Sequence, residues 1–415
     1  MLTVHHRSDR KVPQSVAYGL LICTALAALA VPLQAQAQFV GTASASAGFS
    51  SNSNVFDLDT GITPPGTTGS RRSDTDYTYG AAFGASYLFG QQQVYATANT
   101  TQFRYDHFTQ LNNNAYNLDA GLNWKLADNL YGKVDIARTH AMVPFVNLSG
   151  SELDLTIATS QTESGLVGLK LGPDWKIEGT GSNSRTDEPI AQAPDLRSSQ
   201  TSGTTSLEYL GFSGLSGGLT LGYLTGDYSS SNTTQDSSYS QRTAGLLANY
   251  KLGHTSFDGQ IGYSSRSSTT GLDDASGLTG LLDFKDQLTP KTSFMVKIDR
   301  TINSYVPQLG SEIDTDVGGS VDWQATYKIA VSLGYTFTYR DYPPQELTGL
   351  GYPPGAHRSD YQHYGTLEIT YQPLRWLSIK PYANVQTRDS NVAGGDFNAT
   401  IFGVTFTATT PDTTK

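Results

Sequence analysis

The chain is poor in the residues that usually organise a soluble domain. Of its 415 residues, one is cysteine and three are methionine. Cys23 lies in the N-terminal apolar run, so the rest of the chain holds no thiol, disulfide or cysteine-bound metal. Strong basicity is also missing, since the formal charge is −10. That argues against nucleic acid as a partner, which calls for basic patches. Beyond the N-terminus there is no long hydrophobic run and no amphipathic helical period, which excludes a helical membrane protein and disfavours an α-rich globule.

The N-terminal run itself reads as an export signal. Arg7, Arg10 and Lys11 precede AYGLLICTALAALAVPL over 17–33, and Ala35-Gln36-Ala37 supplies small residues for cleavage. Residues 1–37 are therefore expected to be a cleaved signal peptide.

What the rest of the chain has in quantity is glycine, serine, threonine, asparagine and tyrosine, arranged with a period of two. Tyr116, Leu118, Ala120, Leu122, Trp124 and Leu126 alternate with Asn117, Asp119, Gly121, Asn123 and Lys125. Ile329, Val331, Leu333, Tyr335, Phe337 and Tyr339 alternate with mostly small or polar residues. In a strand this period puts one set on each face. Eighteen such segments can be marked, from 40–50 to 396–408, each long enough to cross a membrane as a tilted strand. Their connectors alternate between short (Gly90-Gln91-Gln92, Thr289-Pro290, Pro373-Leu374) and long (51–73, 143–159, 186–198, 342–359). The fold class predicted is all-β: a single transmembrane antiparallel up-and-down β-barrel of about 18 strands over 38–408, with 409–415 as a periplasmic C-terminal tail. Sixteen strands remain the alternative, with 199–229 the weakest hairpin. The expected location is the outer membrane of a Gram-negative bacterium, in contact with its lipid and lipopolysaccharide. Aromatics near segment ends fit two interfacial girdles: Tyr87, Phe89, Trp124, Tyr131, Trp175, Tyr209, Tyr250, Tyr327, Tyr371 and Trp376 by the short turns, and Tyr105, Tyr228, Tyr339 and Tyr342 by the long loops.

If the apolar set faces lipid, the charged set faces the lumen. The basic candidates are Lys125, Lys133, Lys170, Lys176, Lys251, Lys285, Lys297, Arg340 and Lys380. The acidic ones are Asp119, Asp135, Glu178, Glu208, Asp258, Asp283, Asp299, Asp322 and Glu368. The two groups balance. Lys133 with Asp135, Lys176 with Glu178, Asp283 with Lys285, and Lys297 with Asp299 are two apart and share a face. A mixed-charge, hydrated lumen suits a neutral or weakly charged cargo better than a polyanion. The segment 342–359 carries Pro343-Pro344 and Pro353-Pro354 beside Tyr342 and Tyr352, so it is a candidate gate with aromatic faces for stacking on sugars.

Asp57-Leu58-Asp59, Asp273-Asp274 and Asp314-Thr315-Asp316 match no calcium loop and read as solvated turns; no metal or other cofactor is expected. His107, His140, His357 and His363 fall near loop ends, where a rim cluster would be needed for catalysis, but no G-x-S-x-G or H-E-x-x-H motif accompanies them, so the chain reads as no enzyme.

Three stretches carry a family likeness: Ser51-Asn52-Ser53-Asn54-Val55-Phe56, then GQQQVYATANTTQFRYDHF, then NAYNLDAGLNWKLADNLYGKV. Over residues 45–140 the chain resembles the EpsL-type outer-membrane proteins of exopolysaccharide gene clusters, within the β-barrel porin group. Asp57 departs from it, since that family tends to place Arg after the Phe, and so does the C-terminal extension to Lys415. The resemblance implies an outer-membrane channel that exports a secreted exopolysaccharide chain, alongside a periplasmic polysaccharide-export protein. The alternative is a general small-solute porin; an adhesin or a barrel enzyme ranks below both.

Overall fold

The computed structural model describes residues 38–64, 70–145, 155–189, 196–230, 237–269, 274–305, 310–342 and 357–410. The expected signal peptide lies outside them. The strands are β1 (Gln38–Asn52), β2 (Asp74–Phe89), β3 (Gln92–Tyr105), β4 (Asn113–Lys125), β5 (Leu130–Met142) and β6 (Ile157–Leu171). Next come β7 (Trp175–Glu188), β8 (Leu196–Phe212), β9 (Leu215–Ser230), β10 (Ser237–Leu252), β11 (Thr255–Ser268) and β12 (Ala275–Thr289). The last six are β13 (Thr292–Tyr305), β14 (Gly310–Thr326), β15 (Ile329–Tyr342), β16 (Arg358–Leu374), β17 (Leu377–Ser390) and β18 (Phe397–Thr409).

All 18 belong to one sheet in which each strand pairs with its sequence neighbours. β1 and β18 pair antiparallel from Ser44↔Thr409 to Asn52↔Ile401, which closes the cylinder. Closure gives every described strand a partner on both sides, the condition a sheet must meet inside hydrocarbon. The 199–229 region is the β8–β9 hairpin, paired from Leu196↔Ser230 through Tyr209↔Gly217. Gly217 and Gly218 remove the side chains that would have marked β9 in the sequence, but backbone pairing does not need them.

Eight short turns join the strands at the end where β1 begins and β18 ends. Gly90 (φ 61°) and Gly253 (φ 58°) occupy the left-handed region in two of them, where a side chain would be strained.

The register assigns faces. Leu219, Leu246 and Ile261 stand opposite one another along one row and are 57–58% exposed. They form the outer wall, which water cannot favour and lipid can. Leu118, Val134, Ile136, Leu333, Val385 and Phe402 are likewise exposed. Most of the expected girdle residues face outward. Four do not: Tyr105, Tyr131, Tyr228 and Tyr342 have the opposite parity and turn inward. Tyr131 donates to Glu178 on β7 at 2.7 Å, and its ring covers Gly168, where a Cβ would come within 2.3 Å of it.

Among the described residues the barrel lumen holds no apolar core. The buried apolar cluster lies instead in the loops at the far end: Val55, Phe56 and Leu58 from the β1–β2 loop, Phe108 and Leu111 from β3–β4, and Phe145 from β5–β6.

Candidate functional site

The candidate site is the inner wall and the outer mouth. The register puts Asp119, Lys125, Lys133, Asp135, Lys176, Glu178, Lys251 and Asp258 on the face opposite the apolar rows. The same holds for Asp283, Lys285, Lys297, Asp299, Asp322, Arg340, Glu368 and Lys380. Side chains on this face reach past an intervening strand, as the concave side of a cylinder allows.

Near the short-turn end, Lys176 lies 2.5 Å from Glu208 and 3.0 Å from Glu178. Glu208 is buried and also accepts from Asn249 Nδ2 at 2.8 Å and from the Ser216 hydroxyl. Lys251 and Asp258 line the same recess, of 560 Å³. Higher on the wall, Lys133 bonds Asp135 at 3.0 Å, Lys380 bonds Glu368 at 3.1 Å, and Lys297 stands 3.8 Å from Asp299. Lys125 pairs instead with Asp128 in its own turn, at 3.1 Å. Asp322 accepts from the Ser332 hydroxyl. The expected Asp283–Lys285 pair does not form among the described residues: Asp283 stands opposite Asp258 and Lys297, and Lys285 stands opposite Ser256 and Met295. The spacing alone does not decide it, since Lys133 and Asp135 pair across the same interval.

A second charged cluster at the loop end was not foreseen. Arg340 bonds Asp314 at 2.9 Å and lies 3.5 Å from Glu312. Asn303 also donates to Asp314, at 3.1 Å. Arg358 grips the fully buried Asp360 with Nε at 3.1 Å and Nη2 at 2.6 Å, and Ser390 donates to the same carboxylate at 2.6 Å. Arg388 stacks on Phe397 at 4.9 Å, and Arg266 on Tyr239 at 4.3 Å. Asp314 and Asp316 are thus not solvated turn residues. β14 begins at Gly310, four residues earlier than the alternation suggests, and carries both inward. Their signal was parity: both are even-numbered, as is Asp322 farther along the same strand.

Tyr342 is 1% exposed, with the Arg358 guanidinium 4.4 Å from its ring and its hydroxyl 3.4 Å from Asp360. That ring anchors the start of the β15–β16 connection and is not open for sugar stacking. At the other end of the connection, His357 Nε2 lies 2.5 Å from Asp341. Pro343, Pro344, Tyr352, Pro353 and Pro354 lie outside the described residues.

The Ser51–Phe56 stretch builds the loop cluster. Asn52 Oδ1 accepts from the Asn54 amide at 2.8 Å. The Asn54 side chain then clasps Leu58, accepting from its N–H at 3.1 Å and donating to its carbonyl at 2.8 Å. It donates as well to Asn398 O at 3.0 Å, tying the loop to β18. The clasp turns Val55 and Phe56 into the cluster, where Phe56 meets Phe108 at 4.8 Å and Phe145 at 5.0 Å between ring centroids. Asp57 takes φ 51° in this turn, a conformation aspartate tolerates better than most residues. Arg72 donates to the carbonyls of Leu58 and Ile62, closing the loop from its far side.

Asp74, Asp106 and His107 place ligand atoms within 4.8 Å of one another. Asp74 is already committed, accepting from the backbone N–H groups of Thr75, His107 and Phe108 at 2.8–3.1 Å. The grouping ties the β3–β4 loop to β2. The histidines do not gather at one rim site: His140 stacks on Tyr116, while His363 bonds Tyr335 on the outer wall at 2.7 Å.

Residues 226–410 match a family model described as "Putative beta-barrel porin 2". That match lies beyond the stretch, 45–140, that carries the exopolysaccharide-cluster resemblance. No curated protein matches the chain. Among solved structures, the outer membrane protein opdK from Pseudomonas aeruginosa is 13% identical, with 89% of this chain and 99% of that one covered and a TM-score of 0.47. The siderophore receptor PirA from Pseudomonas aeruginosa is 10% identical, with 91% and 81% covered and a TM-score of 0.48. The FrpB iron transporter from Neisseria meningitidis is 10% identical with a TM-score of 0.48; 85% of this chain is covered but only 62% of the transporter. These likenesses are too remote to bring a substrate with them. The closed 18-stranded cylinder with its lipid-facing wall makes the chain an integral β-barrel of the Gram-negative outer membrane, similar over residues 226–410 to the porin model.

Proposed function

We propose that the barrel is a hydrated, charge-balanced channel for neutral or weakly charged saccharide chains, with a secreted exopolysaccharide as its cargo. The observation that carries the channel reading is the pairing of inward charges. Lys133, Lys176, Lys297, Arg340, Arg358 and Lys380 each have a carboxylate within 2.5–3.8 Å. Paired charges keep the wall wet while presenting little net field. A polyanion would call for a wall dominated by uncompensated Lys and Arg.

A closed barrel of 18 strands, spaced about 4.8 Å apart and tilted about 40°, is on the order of 35 Å across its backbone. Side chains and the loop cluster narrow that width, and a hydrated sugar chain needs only part of it. The export assignment rests on the resemblance over 45–140. In this reading the short-turn end meets a periplasmic polysaccharide-export protein, and the connection between Tyr342 and His357 acts as the gate. Deleting the gene and scoring surface polysaccharide in an otherwise intact envelope tests the cargo: loss, restored by the wild-type gene but not by one lacking 345–355, is expected. Unchanged polysaccharide refutes export and leaves a general small-solute porin, the reading that the porin match over 226–410 favours.

A further inference from the structure

Lysine keeps to one face of the barrel, whereas arginine occurs on both. Every described strand lysine has inward parity: 125, 133, 170, 176, 251, 285, 297 and 380. Of the two bases, the described outer wall carries arginine alone, with Glu163 and Asp187 on the same face. Arg300 stands opposite Gly280, which stands opposite Ile261 of the exposed apolar row. Arg138 stands opposite Leu118, Arg242 opposite Tyr223, and Arg104 opposite Tyr77, all exposed positions. Arg185 shares the face of Ile177, four positions along β7 from Gly181.

Four of them also share a height, and Arg104 stands higher, twelve residues beyond the start of β3. Arg300 and Arg138 lie eight residues beyond the starts of β13 and β5, and Arg185 and Arg242 ten from the short-turn ends of β7 and β10. Tilted strands place such positions about 20–25 Å above the short turns, where an apolar band about 25 Å tall ends. An outward charge is costly at the midplane but cheap at that edge.

Arg300 sits over a particular shape. Gly259 and Gly280 leave a dent in the outer wall, flanked by Leu246, Ile261, Leu282 and Ile298, forming a groove of 690 Å³ with Arg300 at its upper end. The Arg300 guanidinium donates from Nε to Leu278 O at 3.1 Å and from Nη1 to the Thr315 hydroxyl. Those bonds fix its plane and use two of its five N–H groups. Its row neighbours Gly280 and Thr315 are neutral. Carboxylates near the other arginines are engaged elsewhere: Glu163 accepts from Gln161 at 3.0 Å, and Asp187 pairs with Arg197 at 3.2 Å.

We infer that this belt is a docking surface for lipopolysaccharide, with the lipid A phosphates on Arg104, Arg138, Arg185, Arg242 and Arg300 and one acyl chain in the groove beneath Arg300. Charge complementarity selects the occupant. A planar guanidinium matches a phosphate through two parallel bonds, which an ammonium cannot do. That accounts for arginine, and not lysine, on this wall. The groove adds a slot that is apolar along its length and cationic at the level of the headgroups.

Binding of fluorescent bisphosphoryl lipid A to the full-length barrel in detergent micelles tests the proposal, with dephosphorylated lipid A and phosphatidylglycerol as competitors. The wild-type barrel should bind bisphosphoryl lipid A at least tenfold more tightly than either competitor. Changing all five arginines to glutamine should remove that preference. Arg300→Gln alone should weaken binding about threefold, and Ala248→Phe, which fills the groove, should weaken bisphosphoryl and dephosphorylated lipid A alike. Folding of each variant is checked by heat-modifiable migration on gels; the wild-type comparison of the three lipids needs no variant at all. Equal affinity for phosphorylated and dephosphorylated lipid A, or for phosphatidylglycerol, overturns the proposal, as does an unchanged preference in the folded five-arginine variant.

Discussion

Replacing Phe56 by alanine should release the loop cluster without disturbing the barrel. Phe56 is 1% exposed and packs between Phe108 and Phe145 at centroid distances of 4.8 and 5.0 Å. Truncating a buried phenylalanine costs about 3–5 kcal/mol, and two aromatic contacts are lost with it. The cluster is small and borders on loops, so part of that cost is recovered by collapse, and about 3 kcal/mol is a working value. At 1.4 kcal/mol per factor of ten, the opened population of the β1–β2 loop should rise about a hundredfold. Arg71 and Arg72 report on that opening. In the closed loop Arg72 donates to the Leu58 and Ile62 carbonyls at 3.2 and 3.0 Å and is held away from a protease. Trypsin applied to proteoliposomes should therefore cut Phe56→Ala at 71–72 about a hundred times faster than the wild type, while the temperature of barrel unfolding on gels stays within a few degrees. Equal cleavage rates, or a barrel that melts along with the loop, would refute the view that this cluster is a separate cap on an independently closed cylinder.

Other outcomes follow from the same geometry. Ile261→Arg puts a charge on the lipid-facing wall below its upper edge and should lower refolding stability in vesicles by about 2–4 kcal/mol, whereas Gln260→Arg, one residue away on the inner face, should change it by under about 1 kcal/mol; a reversed order would invalidate the face assignment. Lys176→Gln leaves Glu178 and Glu208 without their shared cation and should move the reversal potential in a salt gradient toward cation selectivity, most visibly at low ionic strength where screening is weak. Gly168→Val forces a side chain into the Tyr131 ring, 2.3 Å from where its Cβ would lie, and should destabilise the barrel by about 1–3 kcal/mol in urea titrations; adding Tyr131→Ala should recover part of that loss.

The barrel was legible in the sequence because one physical rule, alternation between lipid and lumen, acts on every strand. It places β2 and β5 at their observed limits, 74–89 and 130–142, and gives the parity of each inward charge. It falters where the rule stops acting. β14 extends to Gly310 beyond the lipid band, where both faces can be polar, and Asp314 there looks like a turn residue until Arg340 is placed beside it. Tyr105, Tyr131, Tyr228 and Tyr342 sit at strand ends as girdle residues do, yet parity turns them inward, and counting parity strictly would have separated them. The loop cluster could not be read at all. Phe56, Phe108 and Phe145 are far apart in sequence, in loops with no periodicity, and only the up-and-down strand order brings the three loops side by side. The Asn54 clasp was visible as a motif, but its function in turning Phe56 inward was not.

The central claim is that the inner wall is wet and electrically balanced. Single-channel recording of the purified full-length barrel in planar bilayers, with potassium chloride at different concentrations on the two sides, tests it most directly. Stable open steps are expected, with a cation-to-anion permeability ratio near one that changes little with salt. A ratio beyond about ten in either direction would mean that one sign of charge stands uncompensated along the path, and would contradict the pairing of Lys176 with Glu178 and Glu208 and of Arg340 with Asp314 on which the account depends.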